Sequence, residues 1–579
     1  MTPVRRTAAT VGCTMVVALA LPAASWAHAA LLRTFPSASG VQNAQPHEVR
    51  LTYSEAVEPR FAIVSVTNAG GTQQTTGRPA RSTADRDTLV TPVKTLAQGW
   101  YLVFWRAISA DGHPVRGAFT FAIGPSPGPA PQFVIPSISE TAATPRLLVA
   151  RWLVFLSLMA SVGIFVFRTI VARPLRRVAP GSSSRSMTLA LAVSLVLTLV
   201  SIPVYLLFST AQFALRSWTA VGALVPLMRV SAFGRAFTDL ELVVALFALT
   251  AAISIFLERS ERRERSVVEL LSQGGAIVAA ASAILLVSLA GHAPQSAHRW
   301  ITLPLDVVHV AVGSVWLGGL VGLLALWSGL AQGERTTALA AVVPRFSNTA
   351  FVSVLAIIAT GTANSLVYLP TVSSLWQTSY GKALLAKILL LGATMLLAAV
   401  NLLRTKPGLR NAVAQGDEAL GVTSATLLRR LVRGETLVVA GTVFAAAVLT
   451  SFPPPARALS QIGTTRAHVG PGPVATTVTE GPYKLDIRVD PNRAALPNSF
   501  SVRVSKAGKP VVGASVTVHF LMLDMDMGQF GYVLEEKSPG LYVRSAPALV
   551  MVGHWAVRFT VAPAGGQPFD VTVVDKARG

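Results

Sequence analysis

The sequence predicts a multi-domain membrane protein: an N-terminal all-β Greek-key sandwich, an eight-span α-helical bundle and a small C-terminal all-β sandwich. Three observations carry this expectation. Of 579 residues, 52% are hydrophobic and only 13% charged, roughly half the charge of a soluble globular protein. Eight apolar stretches long enough to cross a bilayer follow one another through the middle of the chain. On either side the sequence breaks into short alternating segments separated by Gly, Pro and Asn, which is the pattern of strands and turns.

Residues 1–27 read as a secretory signal peptide, with Arg5 and Arg6, an apolar run from Val11 to Leu21, and small residues at the cleavage positions of Ser25-Trp26-Ala27. Cleavage after Ala27 makes His28 the N-terminus and removes Cys13, the single cysteine. An uncleaved first helix is the alternative, although the run is shorter than the ~20 residues a span needs. Either way, disulfide scaffolds and cysteine-based metal sites are excluded.

Residues 28–124 form the first β domain, with strands expected at Val49–Tyr53, Phe61–Val66, Trp100–Trp105 and Ala118–Ile123. A Pro-rich linker, 125–143, leads to a transmembrane domain at 144–452. Its spans are expected near 146–167, 187–209, 237–257, 267–290, 303–329, 346–369, 382–403 and 431–451. A second linker, 453–481, precedes an extracytoplasmic β domain at 482–579, with strands at Lys484–Val489, Phe500–Val504, Ala514–Phe520 and Ala556–Val561.

Charge orients the spans. The chain carries 49 Lys and Arg against 27 Asp and Glu, a net +22. The loops after spans one, three, five and seven hold 17 of these cations near the span ends, whereas the intervening loops hold 4: Arg216, Arg229, Arg235 and Arg299. Positive charge gathers on cytoplasmic loops, so both termini are expected outside the cell membrane. The basic balance then has a bilayer as its partner and not nucleic acid.

The local signals for chemistry are histidines, carboxylates and methionines. In Ser109-Ala110-Asp111-Gly112-His113-Pro114, Asp111 and His113 are two apart and share a side of an extended chain. His28, as an N-terminus, offers an α-amine beside its imidazole. Amine, two imidazoles and a carboxylate suit Cu(II), and no methionine between 28 and 124 offers a softer Cu(I) set. On spacing alone, an ordinary hairpin turn with a solvated histidine explains the triplet better than metal binding does. In the bundle, His292 and His298 lie in an outer loop, while Asp306 and His309 are i, i+3 on one face of the fifth span. These are a metal site at the outer end or a structural hydrogen bond, in equal measure. Met525 and Met527, with His554, form a thioether and imidazole set that suits Cu(I), against the alternative of core packing.

Three resemblances enter on these residues. His28-Ala29, the segment Leu51 to Glu58, and Ser109 to Gly117 followed by Phe119-Thr120-Phe121 resemble CopC, a periplasmic copper-binding β-sandwich. That resemblance implies Cu(II) held by His28, Asp111 and His113, with the acidic Glu55 behind them. Gly291-His292-Ala293, Leu305-Asp306-Val307-Val308-His309-Val310, Trp316 to Leu320, Arg345-Phe346-Ser347, Thr360-Gly361, and Thr378 to Gly381 with Lys387 resemble CopD, mainly over residues 280–405. It implies copper at His292 and His309, with Asp306 in support. Met525 to Gly528 and Gly553 to Trp555 resemble YtkA-like domains.

The expectation is a copper-binding membrane protein, not an enzyme, that captures Cu(II) outside the cell and passes copper to the bundle for uptake. Extracytoplasmic sequestration or resistance without transport is the alternative. A haem-containing oxidoreductase needs histidines on facing spans, and only His309 lies well inside one. The chain has no Gly-x-x-x-x-Gly-Lys-Ser/Thr run, so ATP-driven pumping is not expected.

Overall fold

The computed structural model describes residues 29, 31–37, 41–53, 56–109, 114–125, 144–258, 266–291, 298–369, 371–452, 465–494, 497–523, 529–550 and 552–578. The signal segment, His28, Glu55, Asp111, His113, His292, Met525 and Met527 lie outside them, as does nearly all of the first linker. Two compact units emerge. One is the helical bundle; the other comprises both β domains together with residues 368–381.

The first β domain contains β1 (Leu31–Phe35), β2 (Val41–Gln42), β3 (Glu48–Tyr53), β4 (Ile63–Asn68), β5 (Ala80–Arg81), β6 (Thr88–Pro92), β7 (Gly99–Ile108) and β8 (Pro114–Ile123). They form two four-stranded sheets, ordered β1-β3-β6-β5 and β2-β8-β7-β4. Alternation decides which faces meet: Val49, Leu51 and Tyr53 from one sheet are buried together with Tyr101, Val103 and Trp105 from the other. The opposite face of the β7–β8 hairpin is also covered, because Leu102 and Ala118 pack with Val552 and the Ala118 amide donates to the Val550 carbonyl at 3.3 Å.

The second β domain contains β9 (Thr465–Val469), β10 (Val474–Glu480), β11 (Tyr483–Asp490), β12 (Asn498–Lys506), β13 (Lys509–Pro510), β14 (Ser515–Met522), β15 (Gln529–Ser538), β16 (Leu541–Ala546), β17 (Gly553–Ala562) and β18 (Phe569–Ala577). These strands join into a single ten-stranded sheet, with β15 pairing β14 on one side and β16 on the other. A salt bridge of 2.6 Å from Arg466 on β9 to Glu480 on β10 links the two edge strands.

Among the described residues, eight helices are long and apolar enough to cross a membrane. They are α1 (Pro145–Val166), α2 (Arg185–Phe213), α3 (Ala232–Leu257), α4 (Val267–Leu289), α5 (Arg299–Gly329), α6 (Arg335–Tyr368), α7 (Ser379–Val400) and α8 (Glu418–Leu449). Each matches one expected span. Several run further than hydropathy alone indicates, because polar turns at their ends are helical too. Large apolar side chains such as Phe256, Leu366, Leu396 and Leu437 point outward and exposed, as they do on a surface whose solvent is lipid. Where α1 crosses α5 the backbones touch: a Cβ on Gly163 would overlap the Ser314 carbonyl oxygen and stand 2.7 Å from Gly318 Cα.

Arg168, one of the cations expected on the inner loops, is a finer case than its sequence position indicates. It lies in a π-helical turn, Phe167–Val171, that continues α1, and it is buried. Its guanidinium is held 2.7 Å from Glu258 at the end of α3 and 3.1 Å from the Thr188 hydroxyl on α2. This ion pair ties three helices together, the arrangement that makes a buried charge tolerable.

Candidate metal centres

In the first domain, the described residues flanking each predicted ligand segment meet at one end of the sandwich. Ala29, next to His28, is fully buried in the core, and Leu31 pairs with Tyr53, just before Ser54 and Glu55. The Glu58 amide donates to the Ile108 carbonyl at 2.9 Å, which ties the segment after Glu55 to the end of β7. Ile108 pairs with Pro114, so the five residues Ser109 to His113 close the β7–β8 hairpin there. Tyr53 packs edge-on to Trp105, ring centroids 5.7 Å apart. The Tyr53 hydroxyl and Trp105 indole nitrogen are buried without hydrogen-bond partners among the described residues, and burial pushes the Tyr53 hydroxyl upward from its ordinary pKa. Two strand positions further in, Arg106 faces Arg116 across the hairpin, and burial together with that like charge lowers the Arg106 guanidinium to about 10.

In the bundle, α5 begins at Arg299, which places His309 almost three turns into the helix, deeper than hydropathy alone implies. Its ring reaches two other helices. Nδ1 is 2.8 Å from the Thr360 hydroxyl on α6, and Nε2 is 3.4 Å from Lys387 Nζ on α7. Asp306 interacts electrostatically with the same lysine. Gly361 makes room for the ring, since a Cβ there would stand 3.4 Å from His309 Cε1.

A second polar cluster lies further along α7. Lys387, Thr394 and Asn401 recur every seventh residue, and seven residues are close to two helical turns. Thr394 is fully buried. Asn401 opens a π-helical turn, Asn401–Thr405, and donates to Glu435, a buried carboxylate on α8. Thr405 donates to the Asn401 carbonyl at 2.6 Å and so refills part of the backbone bonding that the π turn displaces.

In the last domain, register brings the predicted segments side by side. Met522 pairs with Trp555, and the Leu523 amide donates to the His554 carbonyl at 2.8 Å, so the end of β14 lies beside His554, while Met525 and Met527 follow outside the described residues. On the neighbouring strand a buried carboxylate, Asp575, pairs with Trp555. One of its oxygens accepts from Asn492 at 2.8 Å, while Oδ2 has no hydrogen-bond partner among the described residues. Burial raises its pKa to about 6, against the opposing pull of Asn492 and His554.

Three family models match the chain in order: the CopC domain over residues 31–124, copper resistance protein D over 340–449, and the YtkA-like family over 477–560. The chain is a CopC–CopD fusion with a YtkA-like domain. The fusion is 24% identical over 549 residues to the copper transport protein CutJ of Bacillus subtilis (strain 168), which covers 93% of this chain and 94% of that protein. Its CopC domain is 33% identical over 99 residues to protein YobA of Escherichia coli (strain K12), 17% of this chain and 80% of that protein. The crystal structure of CopC from Methylosinus trichosporium OB3b is 27% identical and spans 19% of this chain and 100% of that one, with a TM-score of 0.16.

The CopD match begins after His309, so it takes in the histidine's two partners, Thr360 and Lys387, and leaves the histidine outside. Among the described residues no three His, Cys, Asp or Glu side chains come together as a metal-ligand group. Sequence reading did not single out Glu435 or Asp575. Both had a signal: Glu435 is the lone acid in an apolar stretch of α8, and Asp575 interrupts the apolar run from Val571 to Val574.

Proposed function

We propose that this CopC–CopD fusion binds copper outside the cell and passes it to its transmembrane bundle for uptake, without catalysing covalent chemistry. His28, Asp111 and His113 hold Cu(II), with Glu55 behind them, in a domain released to the outside by cleavage after Ala27. The bundle receives the metal through His292 and His309, and Met525, Met527 and His554 take Cu(I). The domain limits are those expected from sequence, except that the last β domain begins with β9 at Thr465 and takes in part of the expected linker 453–481, with both β domains outside and 17 cations on the inner loops orienting the spans.

The observation that carries this reading is convergence. Chain segments that neighbour His28, Glu55, Asp111 and His113 are tied to one another by the Leu31–Tyr53 pairing, the Glu58-to-Ile108 hydrogen bond and the Ile108–Pro114 closure. Ala29, the residue after His28, is fully buried, and an anchor at that point supports chelation by an N-terminal histidine at a reduced entropic cost. Relatives named copper transport protein and the matched copper resistance model support copper as cargo.

The test is copper accumulation in cells expressing the full chain, the chain with His309→Ala, and no chain, under copper limitation and excess. Uptake by the full chain alone supports transport. Equal cellular copper in the first two leaves sequestration, and a Soret band in the purified protein moves the reading to a haem oxidoreductase.

A further inference from the structure

We infer that Lys387 is a tethered cation that occupies the copper position at His309 and must leave it before the metal binds. The inference rests on the reading of His309 as a copper ligand, and it adds what controls access to that ligand.

Hydrogen bonding decides which ring nitrogen is available. Thr360 Oγ1 donates to the Ala356 carbonyl at 2.6 Å, so its single hydrogen is committed to its own helix. Toward His309 Nδ1, 2.8 Å away, the same oxygen accepts. Nδ1 therefore carries the ring proton, and the lone pair lies on Nε2. Lys387 Nζ stands 3.4 Å from that nitrogen.

Imidazole binds a metal through the same lone pair. Ammonium and copper cannot share it. Turning the ring to expose the other nitrogen breaks the Thr360 bond. Lys387 has somewhere to go: Asp306, one turn before His309 on α5, attracts the same ammonium. The lysine stem is long and flexible, which suits a cation that alternates between two partners.

This arrangement gives a carrier what it needs. A site in transit must bind well enough to load and weakly enough to release. A competing cation on a flexible arm weakens binding at His309 and returns to Nε2 as the metal leaves, so the lone pair is never left bare in an apolar interior. Thr360 sets the tautomer, Lys387 competes for the lone pair, and Asp306 holds the displaced arm.

The experiment measures Cu(I) binding to the full chain in lipid nanodiscs, in competition with a chromogenic chelator. Asp111→Ala, His113→Ala, Met525→Leu and Met527→Leu are present throughout, so neither β domain competes. Lys387→Met is expected to bind Cu(I) at least about tenfold more tightly than the parent chain, a difference of about 1.4 kcal/mol. That gain should vanish when His309→Ala is added, and Lys387→Arg, which keeps the charge, should match the parent. Lys387→Gln repeats the comparison if Lys387→Met does not purify as a folded species. No tightening in the neutral variants, or tightening that survives His309→Ala, overturns the inference. Copper uptake by cells carrying the unaltered chain is measured in parallel: its absence removes the transport reading, while the binding comparison still decides the role of Lys387.

Discussion

The N-terminal sandwich and the helical bundle place their candidate ligands in opposite ways. In the sandwich, chemistry is confined to connections: Ser109 to His113 closes a hairpin, and Ser54 with Glu55 follows a strand end, while the strands beneath carry Val49, Leu51, Val103 and Phe119 into a continuous core. In the bundle, His309, Thr360, Lys387 and Glu435 stand on helix faces among packed apolar residues. The difference is one of energetics. A loop ligand can be exchanged with little effect on the fold, whereas a polar side chain inside a span is part of what holds the helices together.

The largest expected effect is at the loops. Adding one residue before His28, or replacing Asp111 or His113 with Ala, should weaken Cu(II) binding by the full chain about a hundredfold or more. Thermal unfolding of the β unit should stay within about 2 °C, the small change expected of residues that serve a metal and not the core. Unchanged affinity ends the loop-site half of the comparison. A large fall in the unfolding temperature shows instead that the loops are structural.

In the bundle both properties should move together. Gly163→Ala places a methyl group where α1 and α5 touch, and should cost roughly 1–3 kcal/mol or shift the helices apart. Glu435→Leu strands the Asn401 amide and should cost about 1–3 kcal/mol, with most of the loss avoided in Glu435→Gln, which can still accept a hydrogen bond. Chemical denaturation in detergent distinguishes the variants. A neutral outcome for Glu435→Leu would mean that the inner polar cluster contributes nothing to packing.

Asp575 sharpens the comparison from the other side, because there a sandwich behaves like the bundle. Its folded pKa, about 6, lies above the ordinary value of 3.8. A carboxyl raised on folding favours the protonated form, so its stabilisation is complete below about pH 4 and is lost as pH rises through 6. Asp575→Asn should therefore stabilise the C-terminal domain at pH 7, by up to about 3 kcal/mol, and do little at pH 4. Equal stabilisation at both pH values would show that another group is responsible.

Much of this was legible in the chain itself. The eight spans follow from apolar runs, because in lipid only a helix satisfies its own backbone and hydropathy alone marks where one must be. The alternation of Val49 to Tyr53 and the short apolar run from Trp100 to Trp105 mark strands for the same kind of local reason. His309 was visible as an ionisable group in a span. Its depth was not, because the polar turn from Arg299 to Thr302 is helical without being apolar.

Partners were the part that only tertiary structure decided. Lys387 is 78 residues from His309, Thr360 is 51, and Glu435 is 34 from Asn401. No periodicity relates such positions. Arg168 counts as one more inner-loop cation until α1, α2 and α3 pack and Glu258 meets it. The sequence by itself determined which segments leave water and which residues can bind a metal, since both are properties of local composition. Which lone pair faces which cation depends on how helices distant in the chain cross, and that is settled by packing.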